Sequence, residues 1–68
     1  MKTIDARGLS CPEPVIRTKN ALASGEKTYI VMVDNVTARE NVSRFALHHG
    51  YQLSVKEDGE DFVLTLET

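Results

Sequence analysis

The chain has 68 residues, of which 41% are hydrophobic and 26% charged, with a formal net charge of -2 and one cysteine. That length holds a single domain over residues 1–68, burying only ~60% of the surface its unfolded form exposes, and one cysteine excludes an internal disulfide framework. The charge gives no reason to expect nucleic acid, Tyr29 to Val33 is far shorter than the ~20 residues of a membrane helix, and the Met1-Lys2-Thr3-Ile4 start lacks a leader's apolar stretch, so the cytosol is the expected compartment.

Lys2 to Ala6, centred on Ile4 and closed by Gly8, suits a short first strand and a turn. From Pro12 to Ser24, Val15, Ile16, Ala21, Leu22 and Ala23 make a rough helical stripe, and Gly25 follows where helices commonly stop. Thr28 to Asp34 is rich in β-branched and aromatic residues and apolar on both faces, as a central strand requires.

Thr37-Ala38-Arg39-Glu40 fits a capping box, so a second helix is expected to start with Thr37 as its cap. Ala38, Val42, Phe45, Ala46 and His49 then form one apolar stripe with Phe45 as core anchor, and Gly50 supplies the stop. The last segment reads as a hairpin. Turning it at Asp58-Gly59 pairs Val55 with Phe62, Leu53 with Leu64 and Tyr51 with Leu66.

The order β-α-β-α-β-β, with short connections, predicts an α/β domain of the α+β two-layer kind: a four-stranded mixed sheet with both helices packed on one face and a right-handed first crossover. The other face stays partly open. Ile30, Met32 and Val63 are expected there, where they either pack within the domain or form a partner patch.

Chemistry concentrates at Cys11, in the run Cys11-Pro12-Glu13-Pro14. Proline is tolerated in a helix's first turn, so Pro12 and Pro14 mark that turn and place Cys11 at or beside the cap, where the positive helix end favours the reactive thiolate. Glu13 opposes that effect. Arg7, Arg17 and Lys19 lie nearby in sequence and are candidate docking cations for a partner. Pro14 occupies the place of a second thiol in a Cys-x-x-Cys pair, which argues against dithiol cycling and for a sulfur carrier. A solitary cysteine is commonly a small buried hydrophobe. Here Gly8 and the double proline reverse that preference by exposing and fixing it.

Asp5-Ala6-Arg7-Gly8-Leu9-Ser10-Cys11-Pro12-Glu13-Pro14-Val15 resembles the signature of the TusA/SirA/YedF sulfur-carrier family, and the resemblance covers nearly the whole chain. It implies the sheet order 1-2-4-3 with the fourth strand antiparallel to the rest. It also implies that Cys11 accepts persulfide sulfur from a cysteine desulfurase or another donor and yields it to a downstream acceptor protein, for example toward transfer-RNA thiolation, with no cofactor. Such a chain is a sulfurtransferase-like carrier rather than a free-standing enzyme.

Asp34-Asn35, the run Glu40-Asn41-Val42-Ser43-Arg44-Phe45-Ala46 and Gly50 are more similar to the YedF-like branch linked to selenium metabolism than to the transfer-RNA-thiolation carriers, and Asn35, Asn41 and Arg44 match its pattern in a supporting role. Members of that branch often carry a further C-terminal domain. The chain is therefore expected either as a whole short protein or as an N-terminal module.

His48-His49 is not read as a metal site, because adjacent helical residues point roughly 100° apart and nothing completes a ligand set. His48 should face water and His49 pack. The acidic cluster around Gly59 reads as a solvated hairpin tip. Against the relay stands a second hypothesis: a non-catalytic interaction or regulatory module that uses the Cys11 turn only as a recognition surface. Direct nucleic-acid binding is a third and weaker one.

Overall fold

Six elements follow the expected order in the computed structural model, which describes residues 1–68: β1 (Lys2–Asp5), α1 (Glu13–Leu22), β2 (Thr28–Val33), α2 (Val36–His48), β3 (Gln52–Asp58) and β4 (Asp61–Glu67). The sheet order is β1-β2-β4-β3. β1 runs parallel to β2, while β4 is antiparallel to both of its neighbours, as the resemblance implied. Sheet and helices make a two-layer α+β sandwich.

Alternation along the central strands shows which face the helices cover. Tyr29, Val31 and Val33 are sealed, as are Leu64 and Leu66, and they join Ala21, Ala38, Val42 and Ala46 in one core. Small alanines on the helices face the larger Tyr29, Val31, Leu64 and Leu66 side chains of the sheet. Ile30, Met32 and Val63 stand half-buried on the opposite, uncovered face.

The Tyr29 ring reaches under the end of α1, where its hydroxyl donates to the Leu22 carbonyl at 3.2 Å and accepts from the Glu26 amide at 2.8 Å. Thr18, which the apolar stripe did not include, is fully buried and donates to the Pro14 carbonyl at 2.9 Å. That local bond makes a hydroxyl acceptable in the core. Ile16, by contrast, is 41% exposed, because the buried line on α1 runs through Pro14, Thr18 and Ala21 instead.

Three expectations about the second half are corrected. Asn35, not Thr37, caps α2: its backbone is extended and its Oδ1 accepts from the Ala38 amide at 2.7 Å. Asparagine is among the strongest N-caps, and capping at Asn35 adds two residues to the helix ahead of the expected start. Phe45 is only half-buried and His49 is exposed; their rings lie 4.3 Å apart on the rim, while Val42 and Ala46 fill the core.

The hairpin turns at Gly59-Glu60, with Asp58 opposite Asp61, Val55 opposite Leu64 and Leu53 opposite Leu66. Gly59 takes φ +63° and is the only positive-φ residue of that loop. A turn with glycine at its first central position needs only that one, whereas Asp58-Gly59 would have required positive φ at the aspartate as well. The pairing moves by two residues, so each side chain keeps its expected face. Val55 is nonetheless 45% exposed, because β3 is an edge strand that the helices cover only in part.

α2 ends in a Schellman arrangement: the Tyr51 amide donates to the Ala46 carbonyl and the Gly50 amide to that of Leu47, with Gly50 at φ +83°. Both termini are held at the start of β2. The Met1 amino group lies 3.0 Å from a Glu26 carboxylate oxygen, and the Thr68 amide donates to the Lys27 carbonyl.

Candidate functional site

The loop that carries the cysteine is fixed by the carboxyl ends of the two parallel strands. The Ala6 amide extends the ladder to the Met32 carbonyl at 2.8 Å, and the Gly8 amide then donates to Asp34 Oδ2 at 2.8 Å. Gly8 adopts φ +76°, a conformation that only glycine takes without strain. Asp34 also accepts from the Asn35 side chain at 3.1 Å, so one carboxylate ties the cysteine loop to the start of α2.

Beyond Gly8 the chain turns into α1. The Ser10 carbonyl accepts the Glu13 amide at 2.9 Å, Pro12 occupies the cap position, and Pro14 lies in the first turn. The Cys11-Pro12 peptide is cis. Cys11 thus stands immediately ahead of the cap, and it is exposed, not a core residue. The prolines lack amide hydrogens, which leaves fewer backbone donors near the sulfur.

The donor that does reach the sulfur comes from the other helix. Asn41, in the second turn of α2, places Nδ2 3.6 Å from Cys11 Sγ, and its Oδ1 accepts from Arg44 Nη1 at 3.4 Å. Sequence placed Asn41 on this helix without bringing it to the cysteine. The contact depends on how α1 packs against α2, which no local signal reveals.

Beside the sulfur opens a shallow groove of about 460 Å³, lined by Cys11, Pro12, Val15, Asn41, Arg44, Phe45 and His48. Its apolar part is supplied by Val15 and the half-buried Phe45; its polar rim by Arg44 and His48. A wider groove of about 580 Å³ lies on the far side of α1, between Lys2, Thr3, Ile4, Glu13, Ile16, Arg17, Asn20 and Ala21. It does not contain the sulfur, so the smaller groove is the candidate site.

The expected docking cations separate. Arg7 is engaged with carboxylates: Nε and Nη2 donate to the two Asp5 oxygens at 2.9 Å each, and Nη1 donates to Asp61 Oδ2 at 3.2 Å. It joins the end of β1 to the start of β4. Arg17 and Lys19 are exposed on α1, with Arg17 and Glu13 both facing the wider groove.

Residues 2–68 match the family model described as sulfurtransferase TusA. The chain is 35% identical over 63 residues to the sulfur carrier protein TusA of Allochromatium vinosum, covering 87% of this chain and 82% of that protein. It is 41% identical over 63 residues to a Methanocaldococcus jannaschii protein provisionally named a sulfur carrier, covering 88% and 83% respectively. The crystal structure of a SirA-like protein from Desulfitobacterium hafniense superposes with a TM-score of 0.89 at 42% identity, over 100% of this chain and 97% of that one.

Proposed function

The chain belongs to the TusA sulfurtransferase family, and on that premise we propose that it relays sulfur as a persulfide on Cys11. The Cys11 thiolate attacks the outer sulfur of a donor persulfide. A new S–S bond forms on Cys11, the donor's S–S bond breaks, and its electron pair stays on the departing donor thiolate. There is no net oxidation. Transfer onward repeats the exchange with an acceptor thiolate attacking the sulfur that Cys11 holds.

The observation that carries this reading is an exposed sulfur fixed ahead of α1 at the lip of an open groove. With no second cysteine in the chain, a bound persulfide cannot collapse into an internal disulfide. A cysteine desulfurase is the proposed donor and a second thiol protein the acceptor, with Arg17 and Lys19 on α1 as docking contacts. Arg7, already held by two carboxylates, makes the smaller contribution. The Asp34-Asn35 pair and the Glu40-to-Ala46 run support a place near the YedF-like branch and its link to selenium metabolism, with transfer-RNA thiolation as the other destination.

Incubation with a cysteine desulfurase and cysteine, followed by intact mass measurement, is expected to add one sulfur atom to the wild type and none to Cys11→Ser. An unchanged wild-type mass, or an equal gain on the variant, would remove the proposal. Pathway output separates the relay from an interaction module: a module keeps its output with either Cys11→Ser or Cys11→Ala, and a relay loses it with both.

A further inference from the structure

A carboxamide has nearly the same shape at its two ends but opposite polarity, one end donating and the other accepting. Which end of Asn41 faces Cys11 therefore decides whether the sulfur meets a hydrogen or a lone pair. Nδ2 faces Sγ at 3.6 Å, and Oδ1 faces Arg44 at 3.4 Å. A guanidinium has donors only, so it attracts the oxygen and leaves the nitrogen for the sulfur.

The Asn41–Arg44 contact is local to α2, because residues three apart are neighbours on a helix. Its polarity is thus set without help from Cys11. Arg44 is exposed and takes part in none of the chain's ion pairs, which involve Met1, Arg7 and Arg39. No carboxylate of the chain competes with Asn41 for its donors.

We propose that Asn41 and Arg44 form a polarity-fixing pair: Asn41 donates to the anionic sulfur carried on Cys11, and Arg44 acts through Asn41 as a positioning residue that stops the amide from turning over. The same donor serves two anions. Before loading it meets the Cys11 thiolate; after loading the negative charge resides on the outer sulfur of the persulfide, in the groove that Asn41 and Arg44 both line. The second half of the statement rests on the relay reading, and the first does not.

Alkylation of Cys11 by iodoacetamide at a fixed pH of about 7, where free thiols are mostly protonated and the thiolate fraction governs the rate, followed by intact mass, tests the thiolate without any sulfur donor. Asn41→Asp puts lone pairs on the sulfur and is expected to slow alkylation about tenfold, the scale of a lost hydrogen bond to a charged group. Arg44→Ala, which frees the amide to turn, should slow it about threefold, and Arg44→Lys, again a pure donor, should restore the rate. Arg44→Glu accepts from Nδ2, turns Oδ1 toward the sulfur, and should be slower than Arg44→Ala.

A double-mutant cycle separates positioning from simple charge. In an Asn41→Ala background, Arg44→Ala is expected to have no further effect; an equal slowing with and without Asn41 would overturn the pair, as would wild-type alkylation of Asn41→Asp. Circular dichroism of each variant, and the Arg44→Lys rescue, guard against a folding defect. Single-turnover loading with inorganic polysulfide should follow the same order of variants. A wild type that alkylates as described but takes up no sulfur would sink the relay and leave the pair standing.

Discussion

At Arg7 one guanidinium spans two carboxylates, bonded twice to Asp5 and once to Asp61. Hydrogen bonding from the Arg7 side chain, helped by the Arg7 backbone amide, lowers the Asp5 carboxyl from 3.8 to about 2, while Arg7 itself is pushed further into its charged form. A carboxyl whose value is lower in the folded chain contributes stability above its unfolded value and loses it as pH falls through the folded one. The contribution is therefore complete above pH 3.8 and fades toward about pH 2. Carboxyl NMR should find the Asp5 midpoint near 2 in the wild type and back toward 3.8 in Arg7→Ala. A midpoint that does not move would mean that Arg7 is not what holds it. High salt should weaken the effect, since the pair is exposed. The same bonds lay Arg7 along the sheet end, where Asp61 arrives from the other half of the chain.

Among the elements, α2 gives the cleanest test of local rules. Removing the Asn35 oxygen orphans the Ala38 amide, so Asn35→Ala should cost about 1 kcal/mol in urea unfolding. Thr37→Ala, at the cap position suggested by sequence, should change stability by less than about 0.5 kcal/mol. If Thr37→Ala costs more than Asn35→Ala, the assignment of the cap is wrong.

The existence and order of the elements were legible because periodicity and punctuation agree: Gly25 and Gly50 both follow helices, and Thr28 to Val33 is strongly strand-forming. Boundaries were less legible where two adjacent solutions obey the same rule. Asn35 and Thr37 can each cap, and Gly59 can be either the first or the second residue of a two-residue turn. The exposed Cys11 could be read from its flanking prolines. Its neighbour Asn41 could not, since thirty residues separate them and only the packing of α1 on α2 closes the gap.

On the scale of the molecule, the fold depends on one layer of helices covering one face of the sheet, with few large side chains to spare. Tyr29 is the largest sealed residue, and its hydroxyl is the joint between β2, the end of α1 and the loop between them. Tyr29→Phe keeps the ring but leaves the Glu26 amide and the Leu22 carbonyl without that partner. It should lower stability by about 1–2 kcal/mol, read as a shift in the urea midpoint at unchanged slope. A midpoint equal to wild type would show that water replaces the hydroxyl without loss.

The two chain ends are secured beside Glu26 and Lys27, where β2 begins, whereas Cys11 is held where β2 finishes. The molecule consequently has a nose and a tail. On the proposed relay the cargo would travel at the nose, and any passenger fused to either end would be towed from the tail, away from the face that Cys11 presents.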